Sequence, residues 1–332
     1  LNIFNWIEQH LKPEPSTTDA MIYDDMESQS DCSLIGIYRP FDGTKRSHWS
    51  ERGSVLDFLC ATGGEGRRLL DFGPGDGWPS LLLAPYALEV VGLDSSRKRV
   101  QVCRTNAQRM GITNAWFQRY RTADPIPFPA ESFDGVIAAS SIEQTPDPKE
   151  ILAEIHRILR PGGRLRIFYE GLAGYRGESE RDLAILEKGR AACKMLLYDR
   201  DIARERVIQY AIDLQVSKSD LLERLGTDRP EYSNLTVEIL QRIEPMIERT
   251  RVVETIHPSG QTWVRWLGQV GFRSVRPTHD GSRGAVVMYD RLTGPNRPMD
   301  VGDVDDMIRP AVELAVNLEC PLHRDPRITA TK

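Results

Sequence analysis

The sequence has no apolar run long enough to cross a bilayer. Its longest, "LLLAPYALEVVGL", carries Glu89 and falls short of the roughly 20 residues that a spanning helix needs. A basic surplus is also missing: 43 Lys and Arg stand against 48 Asp and Glu, for a net charge of −5. That balance leaves no electrostatic footprint for nucleic acid, so no nucleic-acid partner and no membrane span are expected. Cysteine is scarce, with five residues (Cys32, Cys60, Cys103, Cys193 and Cys320) and no C-x-x-C pair. This excludes a disulfide framework and a paired-cysteine zinc site, so no metal is expected, and it favours a reducing compartment. With no basic-then-apolar leader at the start, a cytoplasmic location is the expectation. Internal repeats and low-complexity tracts are absent too.

What is present is a regular alternation. The 332 residues are 40% hydrophobic and 27% charged, as in ordinary globular proteins. "IFNWIEQHL" reads as a short amphipathic helix before a Pro/Ser/Thr-rich linker, and "SVLDFLCATGG" as a helical stretch. From Leu69, five strand candidates ("RLLDFG", "LEVVGLDSS", "AWFQRYR", "FDGVIAASS" and "RLRIFYE") alternate with helices such as "DPKEILAEIHRILRPGG". Such alternation predicts a mainly parallel sheet with crossover helices. Residues 171–260 show no convincing strand and several helical stretches, which predicts an inserted all-helical block. The pattern resumes with the helix "GQTWVRWLGQVG" and two runs, "FRSVRPTH" and "GAVVMYDRL", read as an antiparallel pair ending the sheet. The tail 293–332 holds one helical segment, "VDDMIRPAVELAVNL", interrupted by Pro310.

"LLDFGPGDGWPS" (Leu69–Ser80) falls between the first strand and the following helix. In an open parallel sheet, ligands bind beyond the carboxyl ends of the strands, where glycines let the backbone approach. The spacing Gly73-x-Gly75-x-Gly77 differs from the dinucleotide pattern G-x-G-x-x-G by one residue. Asp71 precedes the glycines and Asp94 ends the second strand, where a carboxylate can accept both ribose hydroxyls. Two acids around such a loop repel phosphate and suit a cationic, phosphate-free nucleoside such as S-adenosylmethionine.

"LLDFGPGDG", "VVGLDSS", "PIPFPAESFDGV", "TPDP" and "EIHRILRPGGRL" resemble, in order and spacing, the motifs of class I S-adenosylmethionine-dependent methyltransferases. The likeness is to the branch around the ubiquinone/menaquinone methyltransferases and covers roughly residues 60–170. It implies a Rossmann-like α/β fold with a seven-stranded sheet, mainly parallel with the last strand antiparallel, and an inserted helical lid. The implied division is an N-terminal flap and linker (1–55), the cofactor-binding domain (56–170 and 261–292), the lid (171–260) and a tail (293–332).

By position, the resemblance implies that Asp71 and the backbone of Gly73, Pro74, Gly75 and Gly77 border the methionine moiety. Asp94 takes the ribose with Ser95 beside the adenine, Thr122, Ala123 and Asp124 close on the adenine, and Ser140 borders the site. Trp78 either walls the cofactor or packs the helix start. Glu143, at the end of the fourth strand, is a candidate catalytic group, either reaching the transferred methyl or binding a substrate cation. Tyr169 is a second catalytic candidate. Glu170, Tyr38, Trp49, Tyr175, Arg176, Tyr198 and Arg204 are candidate substrate residues in the rim, flap and lid.

The expected activity is methyl transfer to a small-molecule acceptor at sulfur, oxygen, nitrogen or activated carbon. The sequence shows no obvious base, which tilts the expectation towards sulfur, since a thiol with a pKa near ~8.5 ionises easily. The alternatives are a non-catalytic cofactor-binding scaffold protein and, further off, a nucleotide-dependent oxidoreductase. For the helical block, the role that competes with a lid is a homodimer contact.

Overall fold

A computed structural model of the chain describes residues 2–23, 40–121, 124–172, 180–292 and 296–332. The chain divides into two units, Leu1–Ser30 with Leu172–His257, and Asp31–Gly171 with Pro258–Lys332. A short helix α1 (Ile3–Trp6) and the strand β1 (Glu14–Pro15) open the chain and belong to the smaller unit. Among the described residues no helix is long and apolar enough to cross a membrane.

The larger unit begins with α2 (Arg46–Thr62), then β2 (Arg68–Phe72), α3 (Ser80–Leu83), β3 (Glu89–Asp94), α4 (Arg97–Arg109) and β4 (Ala115–Arg119). β5 (Phe133–Ala139), α5 (Pro148–Ile158) and β6 (Leu159–Phe168) follow. The sheet has seven strands, with β5, β2, β3 and β4 in spatial sequence on one side of β6. β2 through β6 run parallel. Leu70, Phe72, Val136, Ala138, Leu165 and Ile167 pack on one face with Ile151, Leu152 and Ile155 of α5. Asp147 caps α5 by accepting from the Glu150 N–H, and Pro148 occupies its first turn, where no N–H is needed.

The smaller unit resumes after β6 and corrects the sequence reading. Residues 171–260 are not all helical: they hold β7 (Arg181–Glu187), β8 (Cys193–Asp201), β9 (Arg206–Leu214) and β10 (Ile247–Ile256), with α6 (Lys218–Leu225) and α7 (Val237–Ile243) as the helices of length among the described residues. These strands pair antiparallel, and β1 joins β10 in parallel to complete a five-stranded sheet. Alternation explains the outcome. Leu183 and Ile185, Cys193, Met195 and Leu197, and Tyr210, Ile212 and Leu214 all face one core with α1, α6 and α7. Leu, Ala, Glu and Arg favour helices in isolation, and cross-strand packing overrides that preference here. On the opposite face the wholly inaccessible Lys194 donates to the Met21 carbonyl at 2.5 Å.

The chain then returns to the larger unit with α8 (Gly260–Val270), β11 (Arg273–Thr278), α9 (Gly281–Arg291), α10 (Val301–Asn317) and β12 (Arg327–Thr331). "GAVVMYDRL", read as the last strand, is helix α9, capped by Asp280, which accepts from the Ser282 N–H at 2.8 Å. β12 takes the antiparallel place instead, paired with β6 on one side and β11 on the other. The tail therefore belongs to the sheet. Pro310 does not interrupt α10; it sits on the exposed side, where water can satisfy the carbonyl deprived of its donor.

α9 and α10 form a further helical layer over α2, so α2 is enclosed on almost every side. Gly53 permits this packing, since a Cβ there would lie 2.6 Å from that of Ala285. At the centre, Arg166 of β6 grips Asp57 of α2 through two bonds of 2.8 and 2.7 Å, with both side chains fully inaccessible. Arg166 also donates to Thr278, Thr329 and the His279 carbonyl. Arg327 of β12 lies 3.1 Å from Asp57, which further accepts from the Gly281 N–H. Burial alone would raise the Asp57 carboxyl, and the two guanidinium groups outweigh it and hold the carboxyl below its usual range. Asp57→Ala would strand the buried Arg166 and leave Arg327 with Asp280 alone, and is expected to cost about 3–5 kcal/mol, read by urea denaturation. Because the Asp57 pKa is depressed, its contribution is present above the ordinary carboxylate pKa and lost as pH falls below it.

Candidate active site

β2 lies between β3 and β5, where the strand order reverses because the chain returns from β4 to the other side of β2, and such a switch point opens a crevice at the carboxyl end. There Gly73, Gly75 and Gly77 take φ values of 79°, 59° and 108°, a region that side chains strain. At Gly73 a second constraint applies, because a Cβ would collide with that of Ser141 beyond β5. A Cβ on Gly75 would meet nothing within 4 Å; it faces open space. The loop is fastened from beneath by α4: Cys103 Sγ donates to the Gly75 carbonyl at 3.2 Å and Asn106 Nδ2 to that of Asp76 at 2.8 Å. Pro74 is buried, with its ring against Gly92 of β3.

Asp71, on β2, is fully buried. Its Oδ2 accepts from Ser80 Oγ at 2.6 Å, and its Oδ1 has no partner among the described residues. Burial pushes this carboxyl up to about 7, against hydrogen bonds from Ser80 that pull it down. Asp94, at the end of β3, is half-buried and accepts from the Ser96 N–H at 2.8 Å, while Ser96 in turn caps α4. Ser95 is half-buried beside it, and its carbonyl accepts from Arg119. Asp124 is exposed, and Thr122 and Ala123 lie outside the described residues.

The tips of β5 and β6 form the adjoining rim. Ser140 adopts a φ of 50°, and its N–H donates to the Phe168 carbonyl at 2.7 Å. Ser141 Oγ donates to the Phe72 carbonyl, which pins this corner to β2. Glu143 follows in a single 3-10 turn (Ile142–Gln144) and is fully buried. Its Oε1 accepts from the Glu170 N–H at 2.8 Å, and its Oε2 has no partner among the described residues. Burial raises the carboxyl to about 7; backbone hydrogen bonds oppose this and the nearby Glu170 adds to it. Glu170 itself is exposed.

Tyr169 is buried in the core against Trp263, with ring centroids 5.9 Å apart. Trp78, directly after the loop, is half-buried and meets Phe58 edge-on at 6.0 Å. Trp49 is a core residue of α2, its Nε1 donating to the Gly43 carbonyl at 2.9 Å. Tyr198 and Arg204 belong to the smaller unit. The Tyr198 hydroxyl accepts from Gln209 at 2.9 Å, and Arg204 is exposed in a turn, 3.5 Å from Asp201. Tyr38, Tyr175 and Arg176 lie outside the described residues.

A methyltransferase domain family model matches residues 70–167. Over 185 residues the chain is 31% identical to the 27-O-demethylrifamycin SV methyltransferase of Amycolatopsis mediterranei, covering 54% of this chain and 67% of that enzyme. The chain belongs to the S-adenosylmethionine-dependent methyltransferases. The methyltransferase is also 31% identical over 138 residues to a ubiquinone biosynthesis O-methyltransferase of Alkalilimnicola ehrlichii, covering 38% of this chain and 55% of that one. Its match to the uncharacterized methyltransferase YcgJ of Bacillus subtilis is 35% over 97 residues, or 29% of this chain and 38% of that one. The cofactor of this family is S-adenosylmethionine, and the Gly73–Gly77 loop of the methyltransferase fits it: open space above Gly75 and acidic rather than basic flanks.

Sequence reasoning passed over Tyr120, Cys103 and Ser141. Tyr120 follows β4, packs edge-on to Phe72 at 5.7 Å, and has a buried hydroxyl with no partner among the described residues. Burial, with Asp94 nearby, raises that hydroxyl. Its signal was an aromatic closing the run "AWFQRY" at a strand tip. Asp71 and Glu143 are raised from their ordinary values, so the native state holds protons that the unfolded chain releases. Their contribution is therefore complete below about pH 4 and lost as pH rises through about 7. The melting temperature of the ligand-free protein should fall between about pH 5 and pH 8, and the fall should flatten in Asp71→Asn and in Glu143→Gln.

Proposed function

We propose that this chain transfers the methyl group of S-adenosylmethionine to a small-molecule acceptor by in-line displacement. One observation carries the reading: a left-handed glycine loop at the switch point of a parallel sheet, flanked by Asp71 and Asp94 and open above Gly75. In the proposed site the cofactor lies over Gly73–Gly77, Asp94 takes the ribose hydroxyls, Ser95 and Asp124 border the adenine, and Asp71 stands behind the methionine end. The corner Ser140–Ser141 fixes how close the reacting end of the cofactor comes to the rim. Alignment of this kind supplies roughly 7–11 kcal/mol in model reactions, so little further chemistry is required of the protein. The names of the rifamycin and ubiquinone relatives support a small molecule as acceptor.

Two measurements test this. Asp94→Ala should weaken S-adenosylmethionine binding by about tenfold or more in calorimetry, the scale of losing a pair of hydrogen bonds to a charged group. Unchanged affinity would remove Asp94 from the ribose. Gly75→Val should leave the fold intact, because only the backbone strain of about 1–2 kcal/mol is added, and should abolish cofactor binding. Incubation with methyl-labelled cofactor and a cell metabolite extract, followed by mass spectrometry, identifies the acceptor.

A further inference from the structure

Two polar side chains hold the underside of the Gly73–Gly77 loop from a helix face that is otherwise apolar. Cys103 and Asn106 stand three residues apart on α4, and both are fully inaccessible. Cys103 Sγ donates to the Gly75 carbonyl at 3.2 Å, and Asn106 Nδ2 to the Asp76 carbonyl at 2.8 Å. Around them Val100 and Ala107 pack with Leu81 and Phe117. Asparagine is a costly choice here, because its Oδ1 is buried with no partner among the described residues. Leucine would fill about the same space without that cost. What asparagine supplies and leucine does not is a donor aimed at the loop.

The loop needs such a hold. Pro74–Gly77 is a turn closed by the Gly77 N–H, which donates to the Pro74 carbonyl at 2.8 Å. That outer bond leaves the central peptide, between Gly75 and Asp76, able to face either way, which is how the paired turn types differ. Glycine at 75, with a φ of 59°, makes the flip easy. A planar trans peptide points its C=O and N–H in opposite directions. With the Gly75 carbonyl drawn onto Cys103, the Asp76 N–H is turned away from α4. Burial raises the Cys103 thiol well above its usual range, so it keeps the proton that makes it a donor. Resting on the methyl-transfer reading, we propose that Cys103 and Asn106 are positioning residues: they set the Gly75–Asp76 peptide so that its N–H meets the carboxylate of the cofactor's methionine end. An N–H bonded to a carboxylate is a charge-assisted contact. A flipped peptide would present a carbonyl oxygen instead and turn attraction into repulsion. The nucleoside end, assigned to Asp94, would not sense the change.

The test compares two ligands on the full chain by calorimetry: S-adenosylmethionine, and 5′-methylthioadenosine, the sulfur nucleoside without the amino-acid end. Cys103→Ala and Cys103→Ser leave side chains of similar size, and only serine keeps a donor. Cys103→Ala should weaken S-adenosylmethionine binding about fivefold or more, and Cys103→Ser should restore it to within about twofold of wild type. Asn106→Leu should follow the alanine variant. Affinity for 5′-methylthioadenosine should stay within about twofold in all three. Equal losses for both ligands would overturn the proposal, because a general loosening of the loop does not distinguish them. A folded Cys103→Ala or Asn106→Leu variant with unchanged S-adenosylmethionine affinity would do the same, as would a serine variant no better than alanine. Should Asn106→Leu not fold, the alanine–serine comparison decides alone. If wild-type protein binds neither ligand, the methyl-transfer reading itself fails and takes this inference with it.

Discussion

The contact between Asp57 and Arg166 is the constraint on which the larger unit depends. It places a charge pair with no solvent exposure where α2 crosses β6, and it draws Thr278, Thr329, Gly281 and Arg327 into the same cluster. Those residues come from β11, β12 and the start of α9, so one carboxylate gathers elements far apart in sequence. An apolar cluster of equal volume could be as stable, but it would not fix direction. The fork of a guanidinium bonding both carboxylate oxygens admits one relative orientation of α2 and β6. With α2 fixed, the sheet is held from one side, and the tips of β2, β3, β5 and β6 keep their spacing.

The same logic of unequal satisfaction runs through the site. Asp71 and Glu143 each have one oxygen bonded by the chain and one without a partner among the described residues. They approach from different neighbours, Ser80 at the start of α3 and Glu170 beyond β6. Both are carboxyls that burial pushes up to about 7. Ionising either one in place costs stability, and raised carboxyls of this kind are enriched at functional sites.

Much of this was legible in the sequence, for identifiable reasons. β2 is a short, mainly apolar run ended by glycine and β3 one ended by acid, and the Gly73–Gly77 spacing fixed their context. The insertion was misread because strands such as "RDLAILE" use residues that favour helices when isolated. Their period of two, with Leu183 and Ile185 inward, becomes decisive only when β8 and β9 are beside them. α9 was misread in the opposite sense: "VVMY" suits a strand, but packing of Ala285 against Gly53 makes the helix. Trp49 was assigned to substrate because aromatics before the sheet invite it, although the enclosure of α2 by α9 and α10 could not be foreseen locally. The open oxygen of Glu143 is a three-dimensional fact, since its neighbour Glu170 lies a whole crossover away.

The placing of β12 between β6 and β11 has a consequence for how the molecule is made. On the ribosome both flanking strands emerge first, and residues 279–326 must follow before Arg327–Thr331 can fill the slot between them. Until then β6 has an open edge in the growing polypeptide, a template for wrong pairing. Arg327 enters with that final piece and closes the ring of charge around Asp57, so the late-arriving segment carries its own latch.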